Sequence, residues 1–441
     1  MKDRITFLKT HLLRIDRVLP GSNFPKHIKM TTSPFVFFRG AAQVFYADLA
    51  SGNITLPDIS FPITTVMGDC HTSNFGFFSE QGSHGDDIIF AANDFDDACF
   101  GNPLWDVLRF SISLRLCADH CQRRVRGDIA RDRGNDIKMH AETAVSDVGS
   151  EKAIVAFMDS YLDVCRQGLA GLDHLDQEFD DFRTPSALVK RYKKAKKRVS
   201  GGKHFLLKST LAKAIDMEQI PLTFRKLKDK FRPLAEDEYT QLACAFAPFM
   251  NDAILDIVAR QGSGTGSVNM HRYYFLVGPA DYHTSEQLPL CQIVEVKQQR
   301  MAAPLFYFPD IAQQNNLNPA HLTLRCQRLM QRIPDILLDE AMWNKQHWLI
   351  RSRHHAKVGI DPEHIGIGQI NTHDGGFTQY ARACGTALAL AHCRGAGRSV
   401  KFEQGMTNDL LSITSQLMDI SRDYAAQVVL DWKWLKETEQ T

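Results

Sequence analysis

The spacing of apolar residues along the chain predicts several amphipathic helices. Between Leu104 and Leu116 apolar residues recur at helical intervals, so this stretch is expected to bury one face in the core. Residues 31–50 begin with Thr and Ser, carry Pro34 in the first turn and are rich in aromatic side chains, which also favours a helix. The same spacing predicts further helices over 141–172, 236–260, 318–332, 376–394 and 406–436.

Short runs of β-branched and aromatic residues predict strands between these helices. Residues 88–92 (IIFAA) form an apolar run that is expected to be a buried strand. Residues 271–277 (HRYYFLV) and 290–297 (LCQIVEVK) are two such runs joined by a loop, a pattern typical of a β-hairpin. Residues 347–355 are strand-like as well. The mixture predicts an α+β fold.

The composition narrows the choice of function. The chain has 441 residues, with 52 Lys and Arg against 51 Asp and Glu, so its formal net charge is +1. This balance excludes a basic protein that coats nucleic acid and an acidic, solvating chain. No apolar run approaches the ~18 residues of a membrane span, and the first residues do not have the pattern of a signal peptide. We therefore expect a cytoplasmic protein without a membrane span.

The cysteines indicate a reducing compartment. Ten are scattered along the chain, and none forms a C-x-x-C pair. In a chain of this size they are expected to be reduced and mostly buried thiols. Cys117 and Cys121 lie four positions apart on a predicted helix, but a metal site there would lack clustered partner ligands. Buried thiols are the favoured interpretation of this pair.

A polar loop at 68–76 (GDCHTSNFG) carries the first candidate chemistry. Asp69 precedes Asn74 with the Asp-x-x-x-x-Asn spacing of the catalytic loop in kinase-type phosphotransferases. In those enzymes the Asp accepts the proton of the attacking hydroxyl, and the Asn holds magnesium. We therefore predict Asp69 as the catalytic base and Asn74 as a magnesium ligand. His71 is grouped with the catalytic residues, and its expected role is to shape the loop by hydrogen bonding.

A second polar loop follows the predicted strand at 88–92. An Asp-Phe pair directly after an apolar strand, here Asp94 and Phe95, matches the loop whose Asp bridges magnesium to phosphates. Asp96 is either a second magnesium ligand or a cap of the turn that follows. The alternative interpretation of the acidic group is an ordinary turn, since Asp favours turns.

Two further features lie far downstream. Lys297, on the second strand of the predicted hairpin, has the place of the lysine that contacts α- and β-phosphates in a kinase small lobe. A glycine-rich turn between a predicted helix end and the first strand of the hairpin supplies backbone N–H groups for phosphates. Its candidate nucleotide-binding residues are Gly262, Gly264, Thr265, Gly266 and Ser267. A dinucleotide site is disfavoured because that turn must lead from a strand into a helix.

The order of these features differs from that in kinases. Kinases run from glycine-rich loop and lysine to catalytic and metal loops. This chain begins with the catalytic and metal loops and ends with the glycine-rich turn and lysine. A circular permutation would produce this order. We predict a large part at 1–254 with a basic insert near 185–235, a small part at 255–345, and a return to the large part at 346–441.

The two loops resemble the motifs of aminoglycoside phosphotransferases and choline kinases. The G-D-x-H-x-x-N motif of those families is reproduced by Gly68, Asp69, His71 and Asn74. Their metal motif, followed by a G-D-P-x-x-D-L helix start, is similar to residues 94–107, and this places Asp106 as a supporting or helix-start residue. The resemblance implies a two-lobed, protein-kinase-like fold, here circularly permuted, that uses ATP and Mg²⁺.

Over about residues 30–430 the chain resembles a bacterial family of uncharacterised proteins, domain of unknown function twenty-two fifty-two. The resemblance is carried by SPFVFFRGAA (33–42), GDCHTSNFG (68–76), NDFDD (93–97), PLWDVLRFSIS (103–113), GTGSV (264–268), VEVK (294–297), QRLMQ (327–331) and YARACGTALALAH (380–392). The activity of that family is not established, so the implied kinase-like fold and ATP use come through the motifs.

Three positions depart from the family pattern. Asn269 stands where the family turn has a further Gly, and Arg325 stands where the family has a Glu to pair with the strand lysine. Glu295 is then the only nearby carboxylate in sequence. The segment from Arg353 to Lys357 is similar to a family R-D-x-K segment but lacks its acid. These departures raise the alternative of a degenerate enzyme.

A basic run and one isolated arginine have open interpretations. Residues 190–203, from Lys190 to Lys203, hold many lysines and one aromatic, Tyr192. The run is either a solvated face or a site for an anionic partner, and the shortage of aromatics argues against nucleic acid. Arg39 is either a buried partner of an acidic loop or a surface residue, and the sequence does not separate the two.

The favoured hypothesis is an ATP- and magnesium-dependent phosphotransferase acting on a hydroxyl. Its partners are a nucleotide and an acceptor, small molecule or protein, that the sequence does not identify. A nucleotide-binding pseudokinase with a regulatory role is the first alternative. A metal-dependent phosphoesterase built on Asp69, His71, Asn74 and Asp94 is the second. Transfer of AMP in place of phosphate also remains open, as does the oligomeric state.

Overall fold

The protein has a mixed α+β architecture. The computed structural model describes residues 2–129, 143–171, 173, 175–179, 182, 187–262, 270–397 and 399–440. All ten cysteines are free, and nine of them are buried, which agrees with the expectation of reduced thiols. Among the described residues no helix is both long and apolar enough to traverse a bilayer.

Helices dominate the two ends of the chain. Their bounds are α1 (Lys2–Asp16), α2 (Pro25–Met30), α3 (Pro34–Gly40), α4 (Ala42–Ala50), α5 (Pro103–Arg126), α6 (Asp147–Leu169), α7 (Ala187–Lys196), α8 (Phe205–Lys208), α9 (Thr210–Ala214), α10 (Glu236–Phe246), α11 (Pro319–Met330), α12 (Pro362–Gly366), α13 (Gln369–Thr372), α14 (Gly376–Gly395) and α15 (Val400–Gln440).

Strands are concentrated between residues 64 and 101 and between residues 215 and 359. Their bounds are β1 (Thr64–Val66), β2 (Phe75–Ser79), β3 (Ile88–Ala92), β4 (Cys99–Gly101), β5 (Ile215–Asp216), β6 (Thr223–Phe224), β7 (Phe231–Arg232), β8 (Ala253–Arg260), β9 (Arg272–Gly278), β10 (Gln292–Gln298), β11 (Asp339–Trp343), β12 (Gln346–Ser352) and β13 (Val358–Gly359).

The largest sheet of the described chain is six-stranded and antiparallel. Its order is β11-β12-β10-β9-β8-β7. The predicted hairpin is confirmed, because β9 and β10 pair from Val277 opposite Gln292 to Arg272 opposite Lys297. The strand predicted over 347–355 is β12, which ends at Ser352. Helix α11, predicted over 318–332, packs against β11 and β12.

The helix predicted over 236–260 is wrong in its second half. Helix α10 ends at Phe246 and is followed by a short 3-10 turn that contains Pro248, while 253–260 is strand β8. Val258 packs into the apolar cluster on one face of the sheet, and Ile257 and Ala259 pack into the cluster on the other face. An apolar run buried on both faces has no alternation, so its pattern does not separate strand from helix. The glycine-rich turn therefore joins two strands, β8 and β9.

The segment at 31–50 forms two helices instead of the single one predicted. Ser33 caps α3 by accepting a hydrogen bond from Val36 N, as the Thr/Ser start suggested. Ala41 then has φ −118° and ψ 41°, which are outside the helical region, and α4 begins at the next residue. Helix α3 packs against α5, whereas α4 packs against α1.

The helices share one large apolar core. It includes residues of α5, α6, α14 and α15, and the rings of Phe110 and Phe157 stack at 4.4 Å. At Gly385 of α14 a Cβ atom would lie 2.3 Å from the carbonyl oxygen of Phe157, so the two helices approach closely only because this residue is Gly. Separate clusters, drawn from residues 205–350, cover the two faces of the six-stranded sheet. The domain boundaries predicted from the sequence stay predictions.

Candidate functional site

The two polar loops lie at one edge of a small sheet. Strands β2 and β3 are antiparallel, with Phe75 opposite Ala92, so the start of β2 and the end of β3 are neighbours. The loop with Asp69 and Asn74 leads into β2, and the loop with Asp94 leaves β3. Asn93 N donates to the Asn74 carbonyl at 3.0 Å and joins the loops directly. The structure thus brings the predicted catalytic and metal loops together.

Gly68 is required where the catalytic loop begins. Its φ is +73°, in the left-handed region that favours Gly. A Cβ atom at this position would lie 1.9 Å from the Asp97 carbonyl oxygen, so the two loops touch through backbone. The Gly68 carbonyl accepts a hydrogen bond from Tyr46 Oη at 2.6 Å. Any side chain here would push the metal loop away from the catalytic loop.

Asp106 holds the backbone in front of Asp69. It lies in the first turn of α5, fully buried, and accepts hydrogen bonds from Met67 N at 2.6 Å and Gly68 N at 3.1 Å. His392 Nε2 lies 3.1 Å from the same carboxylate, and Tyr161 Oη lies 2.7 Å from His392 Nδ1. Of the two roles expected for Asp106, support of the Asp69 loop is the one that the structure shows, because Asn102 caps the start of α5.

Replacing Asp106 by Asn is expected to destabilise the fold by about 2–4 kcal/mol. An amide has one acceptor oxygen, so its NH2 group would face either Gly68 N or both Met67 N and the ring of His392. Urea unfolding followed by circular dichroism measures the change. Asp419→Asn on the exposed face of α15 is the matched control and should stay within about 0.5 kcal/mol of the parent. Equal unfolding midpoints for the two variants would contradict this role of Asp106.

Asp69 faces a buried arginine. Arg109 Nη2 lies 2.5 Å from Asp69 Oδ1, and the guanidinium sits over the rings of Phe38 at 4.4 Å and Phe45 at 5.0 Å. Burial raises the pKa of Asp69 to about 6, although Arg109 acts in the opposite direction. His71 Nε2 is 3.6 Å from the second carboxylate oxygen, and His71 Nδ1 accepts from Ser73 N. The hydrogen bond from Ser73 N fits the loop-shaping role expected of His71.

Arg109 was not identified from the sequence, although it carries a signal. It lies three positions after Asp106, within the apolar spacing of α5, and is fully buried. A charged residue on the buried face of an amphipathic helix requires a buried partner of opposite charge. The motifs predicted Asp69 as a site residue, but they did not predict that Arg109 pairs with it.

Three oxygen-bearing side chains fit a magnesium ion at the loop edge. Asn74 donates its Nδ2 to the Asp69 carbonyl at 2.9 Å, which leaves its amide oxygen free of donors among the described residues. Asp96 Oδ1 is buried without a hydrogen-bond partner, and Asp94 accepts one long contact from Asp96 N, 3.4 Å. The described residues contain no group of three or more His, Cys, Asp or Glu suited to a metal. Magnesium commonly takes one or two carboxylates and completes its shell with phosphates and water.

Lys297 reaches the metal loop from the six-stranded sheet. Its ammonium contacts the Asp96 carboxylate, a partner 201 positions earlier in the chain, and its side chain is 1% exposed. Burial lowers the pKa of Lys297 to about 7, while the carboxylate of Asp94 acts in the opposite direction. A second ion pair runs parallel, because Arg300 donates to both oxygens of Asp97 at 2.7 and 3.1 Å. Lys297 on β10 and Arg300 just after this strand thus each form an ion pair with the metal loop.

Glu295, which the sequence left as the nearest carboxylate to Lys297, has other partners. Arg351 Nε lies 2.9 Å from it, and Arg353 and Arg272 lie at 3.3 and 3.4 Å. Burial acts to raise the pKa of Glu295, but the three arginines outweigh it and hold the pKa below its usual range. The strand lysine is therefore paired with the metal loop and not with its own strand.

A narrow cleft with a cavity volume of about 40 Å³ opens beside these charges. Gln327 of α11 lines it, buried, with its Oε1 lacking a hydrogen-bond partner, whereas Arg325 lies over the ring of Phe100 at 5.4 Å. Burial, together with the neighbouring Arg351 and Arg353, lowers the pKa of Lys357 to about 8. The remaining lining residues are Phe78, Asn93, Phe95, Thr210, Glu295, Gln331, Ser352 and His354.

Most of the glycine-rich turn falls outside the part of the chain that the structure describes. Gly262 is described and has φ +62°, as expected for a turn that leaves β8. Gly264, Thr265, Gly266 and Ser267 lie outside the described residues, and so does Asn269. Their role in phosphate binding stays a prediction.

Comparison with known proteins places the chain in a family. No curated protein and no solved structure matches it. The model of one family matches residues 19–438, which is nearly the whole chain. The chain belongs to DUF2252, a family described as an uncharacterized protein conserved in bacteria.

Proposed function

We propose that the protein is an ATP- and magnesium-dependent phosphotransferase with a circularly permuted, protein-kinase-like fold. The observation that carries the proposal is the contact of the Lys297 ammonium with the Asp96 carboxylate, beside Asp69 and Asn74. A cation for phosphates, oxygen ligands for magnesium and a carboxylate base are the parts that phosphoryl transfer requires. Here they come from two segments that lie more than two hundred positions apart.

Each side chain has one task in the proposed reaction. Asp69 accepts the proton of the acceptor hydroxyl, whose oxygen forms a bond to the γ-phosphorus while the bond from that phosphorus to the ADP oxygen breaks. Lys297 contacts the α- and β-phosphates. Asn74, Asp94 and Asp96 would hold Mg²⁺, which would supply positive charge to offset that of the phosphates. Arg109 keeps Asp69 oriented towards the hydroxyl.

The order of elements around the cleft supports a kinase-like small lobe. The glycine-rich turn joins β8 and β9, Lys297 lies on the adjacent β10, and α11 follows before β11 and β12. Kinases arrange glycine-rich loop, strand lysine and a helix in this sequence. The catalytic and metal loops precede the sheet in this chain, which is why we propose a permutation.

A pseudokinase is the second candidate, and one observation favours it. Helix α11 presents Gln327 to the cleft, so no helix carboxylate is available there to hold Lys297 as the αC Glu does in active kinases. In this alternative the cleft binds nucleotide without transfer. ATP binding without ADP formation, over a broad set of hydroxyl acceptors, would favour it.

Isothermal titration calorimetry with ATP tests the proposal. ATP should bind in the presence of Mg²⁺ and lose most of its affinity when the metal is chelated. Asp94→Asn should weaken magnesium-dependent binding by about 100-fold, because a neutral amide replaces a charged ligand. Asp419→Asn is the control and should bind as the parent does. ATP affinity that is indifferent both to Mg²⁺ and to Asp94→Asn would overturn the proposed function.

A further inference from the structure

A group of cations without ion-pair partners among the described residues extends from near Asp69 to helices α7 and α9. We call it the cationic strip and define it as Arg39 of α3, Arg191 and Lys194 of α7, Arg198, and Lys213 of α9. Helix α7 packs against β2 and β13, so the strip lies on the sheet that carries the catalytic loop. The basic run seen in the sequence contributes its central members.

Within the described part of the chain no carboxylate lies at ion-pair distance from the strip, although Asp361 acts on Arg39 and Arg191 from farther away. None of its five members forms an ion pair there. Arg198 is 8% exposed, yet its Nε has no hydrogen-bond partner, and its Nη1 makes only a long contact of 3.5 Å to the Lys357 carbonyl. The Nε of Arg39 is buried and unpartnered as well. A buried guanidinium N–H group without an acceptor is unfavourable unless a bound ligand supplies that acceptor.

The members of the strip repel one another. Burial, followed by Arg198, Arg191 and Lys213, lowers the pKa of Lys194. Burial and then Arg198 likewise lower the pKa of Lys213. Repulsion between neighbouring cations lowers the stability of the folded state, and clusters of like charge are commonly functional sites. An anionic ligand would remove the repulsion.

One end of the strip lies near the proposed base, and the other end lies on the helix that begins with the cleft residue Thr210. Burial lowers the pKa of Arg39, and the carboxylate that opposes this most is Asp69, ahead of Asp361 and Asp94. At the other end, Thr210 lines the cleft, hydrogen-bonds to the His354 carbonyl at 2.9 Å and starts the helix that carries Lys213. A molecule bound along the strip would therefore have one end beside Asp69.

We propose that the acceptor of the phosphotransferase is a small molecule bearing phosphate groups, which the cationic strip binds so that its hydroxyl meets Asp69. This rests on the proposed function. Arginine forks match phosphate oxygens in pairs, and Arg39, Arg191 and Arg198 supply three of them. A nucleic acid is disfavoured, because the ring of Tyr192, the aromatic of the basic run, is already stacked on Phe182 at 4.6 Å.

Tripolyphosphate is a suitable probe for the strip. It is titrated by calorimetry into full-length protein already saturated with Mg²⁺ and a non-hydrolysable ATP analogue, so that the nucleotide site is filled. The triple variant Arg191→Gln/Lys194→Gln/Lys213→Gln should raise the Kd for tripolyphosphate by at least about tenfold. The Kd for the ATP analogue should stay within about threefold. The variant should also melt at the same or a higher temperature, because it removes repulsion.

A control with the same change in charge separates the strip from the surface in general. Lys9→Gln/Lys401→Gln/Lys433→Gln alters exposed lysines on α1 and α15 and should bind tripolyphosphate as the parent does. An equal loss in both triple variants, or no binding by the parent, would overturn the proposal. So would tight binding of an oligonucleotide, or of phosphatidylcholine vesicles containing phosphatidylglycerol, without binding of tripolyphosphate. Failure of the proposed function shows separately, as absent binding of the ATP analogue.

Discussion

Asp69→Asn should lower the rate of phosphoryl transfer by about 10²–10⁴-fold while the protein remains folded. The amide keeps the size of the side chain and its oxygen still accepts from Arg109 Nη2, but it does not accept a proton. The rate of ADP formation in the presence of acceptor measures the effect, and the binding of MgATP should persist. Thermal melting monitors the fold. A variant that keeps more than a tenth of the parental rate would show that Asp69 is not the base.

The pH dependence of the same reaction gives a second view of Asp69. Burial raises the pKa of Asp69 to about 6, and only the carboxylate form accepts a proton. The rate should therefore be low in acid, rise through about pH 6 and level off above it. Arg109 acts to lower the pKa of Asp69, so Arg109→Met should move the midpoint to higher pH. If the midpoint does not move in this variant, the pH profile does not report the titration of Asp69.

Lys297→Met should reduce both turnover and stability. Turnover is expected to fall by about 10²-fold, because the phosphates lose a charged donor that is held in place by burial. The free energy of unfolding should fall by about 2–4 kcal/mol, because Asp96 is left without its partner in a mostly buried position. Steady-state rates and urea unfolding measure the two effects. Lys401→Met, which replaces an exposed lysine of α15, is the control for the loss of a lysine.

A double variant separates the two effects of Lys297. Asp96→Asn/Lys297→Met removes both charges, so it should recover part of the stability lost in Lys297→Met alone. Turnover should not recover, because both a phosphate contact and a proposed metal ligand are missing. A phosphoesterase would tolerate Lys297→Met with little loss of rate, and that outcome would exclude the phosphotransferase.

Local pattern was sufficient for much of the fold. The strand at 88–92 and the hairpin pairing were predicted because their β-branched runs are short and bounded. Strand β8 was not, because Ile257 and Val258 are buried on opposite faces and the run lacks alternation. The break at Ala41 directly follows Gly40, so the sequence did carry a signal for the end of α3.

The site was predictable only as separate loops. Motif spacing identified Asp69, Asn74 and Asp94, but the partners of these residues depend on the folded chain. The acid expected on α11 was sought at position 325, whereas Gln327 is the residue that faces the cleft. Two positions along a helix are about 200° apart, so an offset of two residues exchanges the inner and outer faces. Motif comparison alone does not resolve such an offset.

The contact between Lys297 and Asp96 spans 201 positions of the chain, and this has a consequence for biosynthesis. The acidic loop leaves the ribosome first, and its cation is added later, after about 10–40 s at roughly 5–20 residues per second. During that interval the nascent polypeptide carries the carboxylates without the ammonium that contacts them. A chain interrupted anywhere in this interval would lack the contact between Lys297 and Asp96 on which the proposed function rests.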